Sequence, residues 1–292
     1  MTFYRDTLKF DSIVVIESLK PDDSKTGDWL YHRVIESWAR RNSPFYTRFY
    51  QVASRQEFLG VLDVLRAELF KNGHAPILHI DAHGDTTGLE LGDGDHLQWE
   101  ELRGRLTEMN LLSQINLLVV MAMCADWHLS RLLMPMDRSP VWGVIGPTED
   151  VKAGPLRESM EVFYSTLLST MDARRALDEM NNGAPYVLWT YILETAEIMF
   201  CRVFHHYTHK LCTEDQLQER ENDIVAEIVR RRDGDLMAAY EARDRARRML
   251  RQHAEMFDYY KRNFFFIDLY PQNAARFQLT YDDCAGLPAP AA

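Results

Sequence analysis

His83 and Cys124 are the two residues of this chain best suited by type and setting to nucleophilic chemistry. His83 closes the apolar run 76–83 and is followed by Gly84, and Cys124 closes the apolar run 115–123. A thiolate is a strong nucleophile, and a neighbouring imidazole can take up the thiol proton. Because the carboxyl ends of parallel strands meet at one edge of a sheet, we predict that His83 and Cys124 form a catalytic dyad.

The polar residues that precede His83 strengthen this interpretation. His79, Asp81 and His83 alternate with apolar residues, so a strand places all three on one face. Polar groups at the end of a buried strand cost free energy unless they have partners or a function. The competing interpretation is that Cys124 is only a small core residue, which is the usual role of a buried cysteine.

The elements that must position these residues follow the order of an α/β domain. β-branched and aromatic runs predict strands, and amphipathic spacing predicts the helices between them. The predicted strands are residues 12–19, 45–52, 76–83, 115–123 and 141–145, and the predicted helices are 26–41, 54–70, 97–110 and 154–181. Ser54 and Glu57 match a capping box, and residues 86–96 predict a glycine-rich hairpin. The fold class is therefore α/β, with a mainly parallel sheet flanked by helices.

The second part of the chain has a different character. Residues 186–212 are apolar and aromatic and predict one long helix, and residues 214–263 predict a highly charged helical region. Exposed phenylalanines at 264–266 would promote aggregation, so we expect this segment to pack back onto the α/β body. These features predict a catalytic domain at residues 1–182 and a helical C-terminal region at 183–292 that packs on it or regulates it.

Composition narrows the classes of partner. The 292 residues carry a formal net charge of -11, which argues against general nucleic-acid binding because that requires a positive face. The sequence shows no apolar run of membrane-spanning length and no signal pattern at its start, so we expect no membrane contact. The four cysteines are Cys124, Cys201, Cys212 and Cys284. They are far apart and lack metal-ligand spacing, which predicts reduced thiols and a cytoplasmic location.

The order of these elements and several motifs resemble the caspase-like cysteine peptidases, and most of all their bacterial CHAT branch. The similarity rests on the strand ending in His83-Gly84, on Leu91-Gly-Asp-Gly and Trp99-Glu-Glu-Leu, and on the strand ending in Cys124. It covers the part of the chain before Asn182. The resemblance implies that His83 is the general base, that Cys124 is the nucleophile, and that Gly84 supplies an N–H group to the oxyanion.

The same resemblance implies a cofactor-free cysteine endopeptidase that cleaves a protein substrate. Relatives in bacteria serve defence or cell death and cut a companion protein such as a gasdermin. We expect Asp81, Ala122 and Asp126 to line the substrate pocket. Ala122 stands where metacaspases have an aspartate, so we expect a small or apolar residue before the scissile bond. The interval 125–140 is short, and we therefore expect an enzyme that is active as one uncut chain.

Two other functions stay open. A non-catalytic interaction module would keep the fold and recruit a regulatory partner through its C-terminal helices. Alternatively, Asp81-Ala-His83-Gly-Asp85 matches one metal motif of the arginase-type ureohydrolases, in which carboxylates and a histidine share a divalent ion. The other aspartate-rich segments of those enzymes are missing, so we expect no metal, because ligand count decides such sites. The histidines at 205, 206 and 209 are interpreted as the polar edge of a packed helix.

Overall fold

The computed structural model describes residues 8–42, 44–73, 75–123, 133–148, 150–183, 191–231 and 236–285. The chain forms two compact units. The first consists of Met1–Leu132 with Arg138–Ala196, and the second of Leu133–Asp137 with Glu197–Ala292. The predicted α/β class is confirmed: a mainly parallel sheet is flanked by helices, and the C-terminal region is helical.

The sheet of the first unit contains eight strands in the described part of the chain. They are β1 (Ser12–Ser18), β2 (Tyr46–Gln51), β3 (Pro76–Gly84), β4 (Gly88–Glu90), β5 (His96–Gln98), β6 (Leu118–Ala122), β7 (Gly143–Pro147) and β8 (Tyr191–Thr195). The main path has the order β2-β1-β3-β6-β7-β8, and the predicted hairpin, β4 with β5, branches from β3. Chain order reverses between β1 and β3, which is the position where open α/β sheets bind ligands.

The central strands pair in parallel and are largely apolar, because helices cover both faces of such a sheet. Residues 13–16 of β1 are at most 1% exposed, as expected for a strand covered by helices on both sides of a sheet. The prediction of one long helix at 186–212 is wrong for Tyr191–Thr195, which forms β8 and pairs antiparallel with β7. The aromatic and β-branched residues of this segment suit a strand, and β8 satisfies the otherwise open backbone edge of β7.

The helices of the first unit connect and cover these strands. They are α1 (Thr26–Leu30), a π-helical turn (Tyr31–Ile35), α2 (Glu36–Ala39), α3 (Arg55–Asn72), α4 (Trp99–Leu112), α5 (Ala153–Thr170) and α6 (Ala173–Gly183). Helix α5 packs against α1 and α6, and α3 packs against α4. The predicted capping box is confirmed, because the Glu57 N–H donates to Ser54 Oγ and Glu57 accepts from the Ser54 N–H.

The second unit is helical. It contains α7 (Ala196–His206), a π-helical turn (Tyr207–Leu211), α8 (Glu214–Arg231), α9 (Leu236–Arg251), α10 (His253–Phe264), α11 (Asn273–Arg276) and α12 (Tyr281–Ala285). Helices α8 and α9 pack together around the buried carboxylate of Glu221, which accepts hydrogen bonds from Arg243 and Arg247. Among the described residues, no helix combines the length and the apolar character that crossing a bilayer requires.

The three consecutive phenylalanines are buried, and the ring partners described for Phe264 and Phe265 belong to the second unit. The rings of Phe264 and Phe265 lie 5.2 and 5.3 Å from the ring of Phe200, and Phe265 stacks on Phe277 at 4.4 Å. Phe266 is also fully buried. The second unit therefore has an aromatic core of its own, built around helix α7.

Cys201 and Cys284 form a disulfide bond, which corrects the prediction that all four cysteines are reduced thiols. The two residues are 83 positions apart in the sequence, but helix α12 packs on α7, with Tyr281 against Phe204 at 5.7 Å. This packing brings the two Cα atoms to 4.4 Å. Cys212 is a free and buried thiol.

Candidate functional site

His83 lies where strand β3 leaves the main sheet. Residues 76–82 pair with β1, whereas His83 and Gly84 pair with Glu90 and Leu89 of the hairpin strand β4. The side chain of His83 is 42% exposed. As predicted, the histidine is at the carboxyl end of a central strand, and it is held there by the hairpin and not by the main sheet.

The hairpin is fixed by a polar turn and a buried tryptophan. Asp85 Oδ1 accepts hydrogen bonds from the N–H groups of Thr87 and Gly88, and the indole N–H of Trp99 donates to the Asp85 carbonyl at 2.9 Å. The Thr87 hydroxyl also donates to Asp85 Oδ1, and this bond, with those from the Thr87 and Gly88 N–H groups, lowers the pKa of Asp85 to about 2. A Cβ atom at Gly88 would lie 2.1 Å from the Leu97 carbonyl oxygen, so only glycine fits this approach of the two strands.

His83 has a carboxylate partner that the sequence did not reveal. Its Nε2 lies 2.8 Å from Oδ2 of Asp23, in the loop between β1 and α1. This hydrogen bond lowers the pKa of Asp23, so the carboxyl group is ionised at neutral pH and can only accept. A proton must therefore reside on Nε2, so in the neutral imidazole Nδ1 is the nitrogen with the lone pair. No described residue forms a hydrogen bond with Nδ1.

Cys124 and Asp126 lie outside the described residues, so the predicted dyad is not seen as a pair. The last described residue before Cys124 is Met123, which is buried. A Cβ atom built on Gly84 would lie 3.0 Å from Met123 Sδ, so the residue after His83 and the residue before Cys124 are in close contact. In the register of β3 and β6, Asp81 is opposite Ala122.

Two buried carboxyl groups lie near His83, closer to the middle of the sheet. Glu17 of β1 and Asp81 of β3 are register partners and are 0% and 1% exposed. The start of helix α1 covers them: the Thr26 hydroxyl donates to Asp81 Oδ2 at 2.5 Å, and the Asp28 N–H donates to Glu17 Oε2 at 3.0 Å. Within the described residues, Glu17 Oε1 has no hydrogen-bond partner.

Burial and mutual repulsion raise the pKa values of this carboxyl pair above those of exposed carboxyl groups. Burial is the main cause that raises the pKa of Asp81 to about 7, with the charge of Glu17 as a smaller cause. Burial also raises the pKa of Glu17, although the Asp28 N–H opposes this shift. Because the two carboxyl groups interact, the loss of a proton is a property of the pair and not of either residue alone.

We predict that Asp81→Asn stabilises the protein at high pH. A raised pKa means that the folded state binds a proton that the unfolded state has lost between about pH 4 and 7. The stability that this proton provides is complete below about pH 4 and is lost as the pH rises through 7. The amide cannot ionise, so we expect a gain on the order of 2 kcal/mol at pH 8 and little gain at pH 4.

Urea unfolding at both pH values measures this effect. The matched control is Asp22→Asn, because Asp22 is an exposed aspartate in the adjoining loop. It should change the free energy of unfolding by less than about 0.5 kcal/mol at either pH. An Asp81→Asn variant that is destabilised equally at pH 4 and pH 8 would show that the buried carboxyl group has no titration linked to folding.

Two of the three predicted pocket residues are described, and both are buried. Asp81 and Ala122 are each 1% exposed, and the carboxyl group of Asp81 is covered by Thr26 and by Gly27, where a Cβ atom would lie 3.1 Å from Asp81 Oδ2. Neither side chain reaches solvent in this arrangement. Their role in substrate binding stays a prediction.

The residues of the possible metal motif have separate protein partners. Asp81 bonds to Thr26, His83 bonds to Asp23, and Asp85 bonds to its own turn. Among the described residues, no group of three or more histidine, cysteine, aspartate or glutamate side chains is arranged to hold a metal ion.

The other histidine of β3 has a structural role. His79 is 1% exposed, its Nδ1 lies 3.2 Å from the Tyr164 hydroxyl of helix α5, and burial lowers its pKa to about 3. It is therefore neutral at physiological pH. In the second unit, His205 and His209 stack with ring centres 3.9 Å apart, and His209 Nδ1 bonds to the His205 carbonyl oxygen, in agreement with a packed helix edge.

Comparisons with known proteins give no family assignment. No protein-family model matches the chain, and no curated protein sequence matches it.

Proposed function

We propose that this protein is a cysteine endopeptidase in which Cys124 is the nucleophile and His83 is the general base. The observation that carries the proposal is the setting of His83: it is partly exposed at the carboxyl end of β3, with Nε2 bound to Asp23 and with no hydrogen bond to Nδ1 from the residues that the structure describes. Gly84, the next residue, contacts Met123, after which the chain continues directly into Cys124.

The proposed chemistry needs no group from outside the chain other than water and the peptide. The Cys124 thiol passes its proton to His83 Nδ1, and the thiolate attacks the carbonyl carbon of the scissile bond. The backbone N–H of Gly84 is proposed to stabilise the oxyanion of the tetrahedral intermediate. The imidazolium then protonates the leaving amine. A water molecule activated by His83 hydrolyses the thioester and restores the thiol.

The substrate of this activity is proposed to be a protein, as the resemblance to CHAT peptidases suggests, with a small or apolar residue before the scissile bond. The cytoplasmic location also stays a proposal. The disulfide between Cys201 and Cys284 weighs against it, because cytosolic thiols are normally kept reduced. A non-catalytic interaction module would share the fold but not the thiol reactivity, so one measurement separates the two functions.

The test is to label the intact chain with iodoacetamide at neutral pH and to locate the label by mass spectrometry. Cys124 should react at least about tenfold faster than Cys212, because an activated thiolate is present near neutral pH whereas Cys212 is a buried thiol. Cys124→Ala should abolish peptide hydrolysis, and Cys212→Ser serves as the matched control that retains it. Hydrolysis that survives Cys124→Ala would overturn the proposal.

A further inference from the structure

The loop between β1 and α1 holds a charged group against the imidazole of His83. Asp23 Oδ2 accepts from His83 Nε2 at 2.8 Å and also from the Lys20 N–H at 2.8 Å. The Asp23 N–H in turn donates to the Lys20 carbonyl at 3.1 Å. The carboxylate is therefore held by hydrogen bonds of its own turn as well as by His83.

The turn itself is attached to its surroundings on two sides. The Lys25 ammonium group donates to the carbonyl oxygens of Leu19 and Lys20 at 2.9 and 2.5 Å. The Lys20 ammonium group forms an ion pair at 2.7 Å with Glu90, the residue opposite His83 in the β3–β4 register. These contacts thus attach the loop to strand β4, which pairs with His83.

We propose that Asp23 is the positioning residue of this site, which fixes the tautomer and orientation of His83 and stabilises the imidazolium formed when Cys124 loses its proton. The inference rests on the proposed function. The proton moves from Cys124 Sγ to His83 Nδ1, the Nε2 proton stays on Nε2, and Asp23 accepts a hydrogen bond without becoming protonated. The adjacent charged side chains are those of Lys20, Lys25 and Glu90: Lys20 and Glu90 form an ion pair with each other, and Lys25 donates to the carbonyl oxygens of Leu19 and Lys20.

The contact with this loop determines which ring nitrogen of His83 can act as a base. An imidazole can act as a base only if one nitrogen carries the proton and the other is free. In the described structure, Asp23 is the side chain that determines which nitrogen this is. The Asp23 carboxylate lies at hydrogen-bond distance from the ring, so its charge also stabilises the imidazolium that forms when Cys124 loses its proton.

The experiment measures the rate of Cys124 alkylation by iodoacetamide between pH 5 and 9 in the full chain and in Asp23→Asn, Asp23→Ala and Asp22→Asn. Loss of the charge in Asp23→Asn should raise the midpoint of thiolate formation by about one pH unit and lower the rate near pH 6.5 by about tenfold. Asp23→Ala should show a shift at least as large. Asp22→Asn, which changes the neighbouring exposed aspartate, should give the same pH profile as the native protein.

The possible outcomes separate this assignment from the function on which it rests. A reactive Cys124 whose pH profile is the same in Asp23→Asn as in the native chain overturns the role of Asp23 alone. A native Cys124 with the reactivity of an ordinary thiol overturns both. A variant that merely loses stability would lower the unfolding midpoint without moving the alkylation profile of its folded fraction, and that result also counts against the assignment.

Discussion

His83→Ala is expected to lower peptide hydrolysis by about 10²- to 10⁴-fold, the range that a general acid–base group contributes. The thiol would then lack an adjacent base at neutral pH, and the leaving amine would lack a proton donor. The variant should still fold, because His83 is partly exposed and loses only its hydrogen bond to Asp23, worth about 1 kcal/mol. Steady-state hydrolysis and urea unfolding measure the two effects separately.

The matched control for this variant is His96→Ala. His96 is also a partly exposed histidine of the hairpin, and it contacts Thr87 and Asp85 instead of Asp23. The control removes an imidazole from the same local structure, so it reports any general damage to the hairpin. Equal losses of activity in the two variants would mean that the hairpin, and not the base, accounts for the effect.

Removal of the disulfide should have the largest effect on stability. The bond between Cys201 and Cys284 closes a loop across a sequence separation of 83 residues. A cross-link of this span restricts the unfolded chain and stabilises the folded one by about 4 kcal/mol in the chain-entropy model. We therefore expect Cys201→Ser with Cys284→Ser to lower the free energy of unfolding of the second unit by an amount of that order.

Chemical denaturation with and without a reductant tests this expectation. The reductant should weaken the native protein to the level of the double variant and leave the double variant unchanged. Cys212→Ser provides a control, because Cys212 is buried but closes no loop. Titration of the denatured, oxidised protein should find two free thiols among its four cysteines, and a count of four would contradict the bond.

The strands that surround the candidate site could be predicted from the sequence because they are central. A parallel strand covered on both faces is mostly apolar, so β1, β3 and β6 can be recognised as apolar runs in spite of Glu17 in β1 and the polar residues of β3. The edge strand β8 was missed because Tyr191–Thr195 continues without a break into helix α7. With no glycine or proline between them, the change from strand to helix is set by pairing with β7, which is a tertiary effect.

The parts of the site that depend on long-range contacts could not be predicted in the same way. Asp23 is one of two adjacent aspartates in a polar loop, and only the fold shows that it reaches His83, 60 positions away. Glu17 was interpreted only as part of a β-branched run, although a carboxylate inside an otherwise apolar strand is itself a signal. The pairing of Cys201 with Cys284 was beyond reach because sequence alone does not determine disulfide connectivity.

The change of strand partner within β3 means that the stability of the backbone at His83 does not depend on the main sheet alone. Up to Ala82 the strand is held on both sides by β1 and β6 or by β1 alone, but His83 and Gly84 are held by the short strand β4. The buried leucines of the hairpin are Leu89, Leu91 and Leu97, so we expect it to open locally at a smaller free-energy cost than global unfolding requires. His83 would then lie between a segment that opens locally and a sheet that stays closed. Amide hydrogen exchange should be fast in β4 and β5 and slow in β1, and a substitution that loosens the hairpin can silence the site while the melting temperature stays the same.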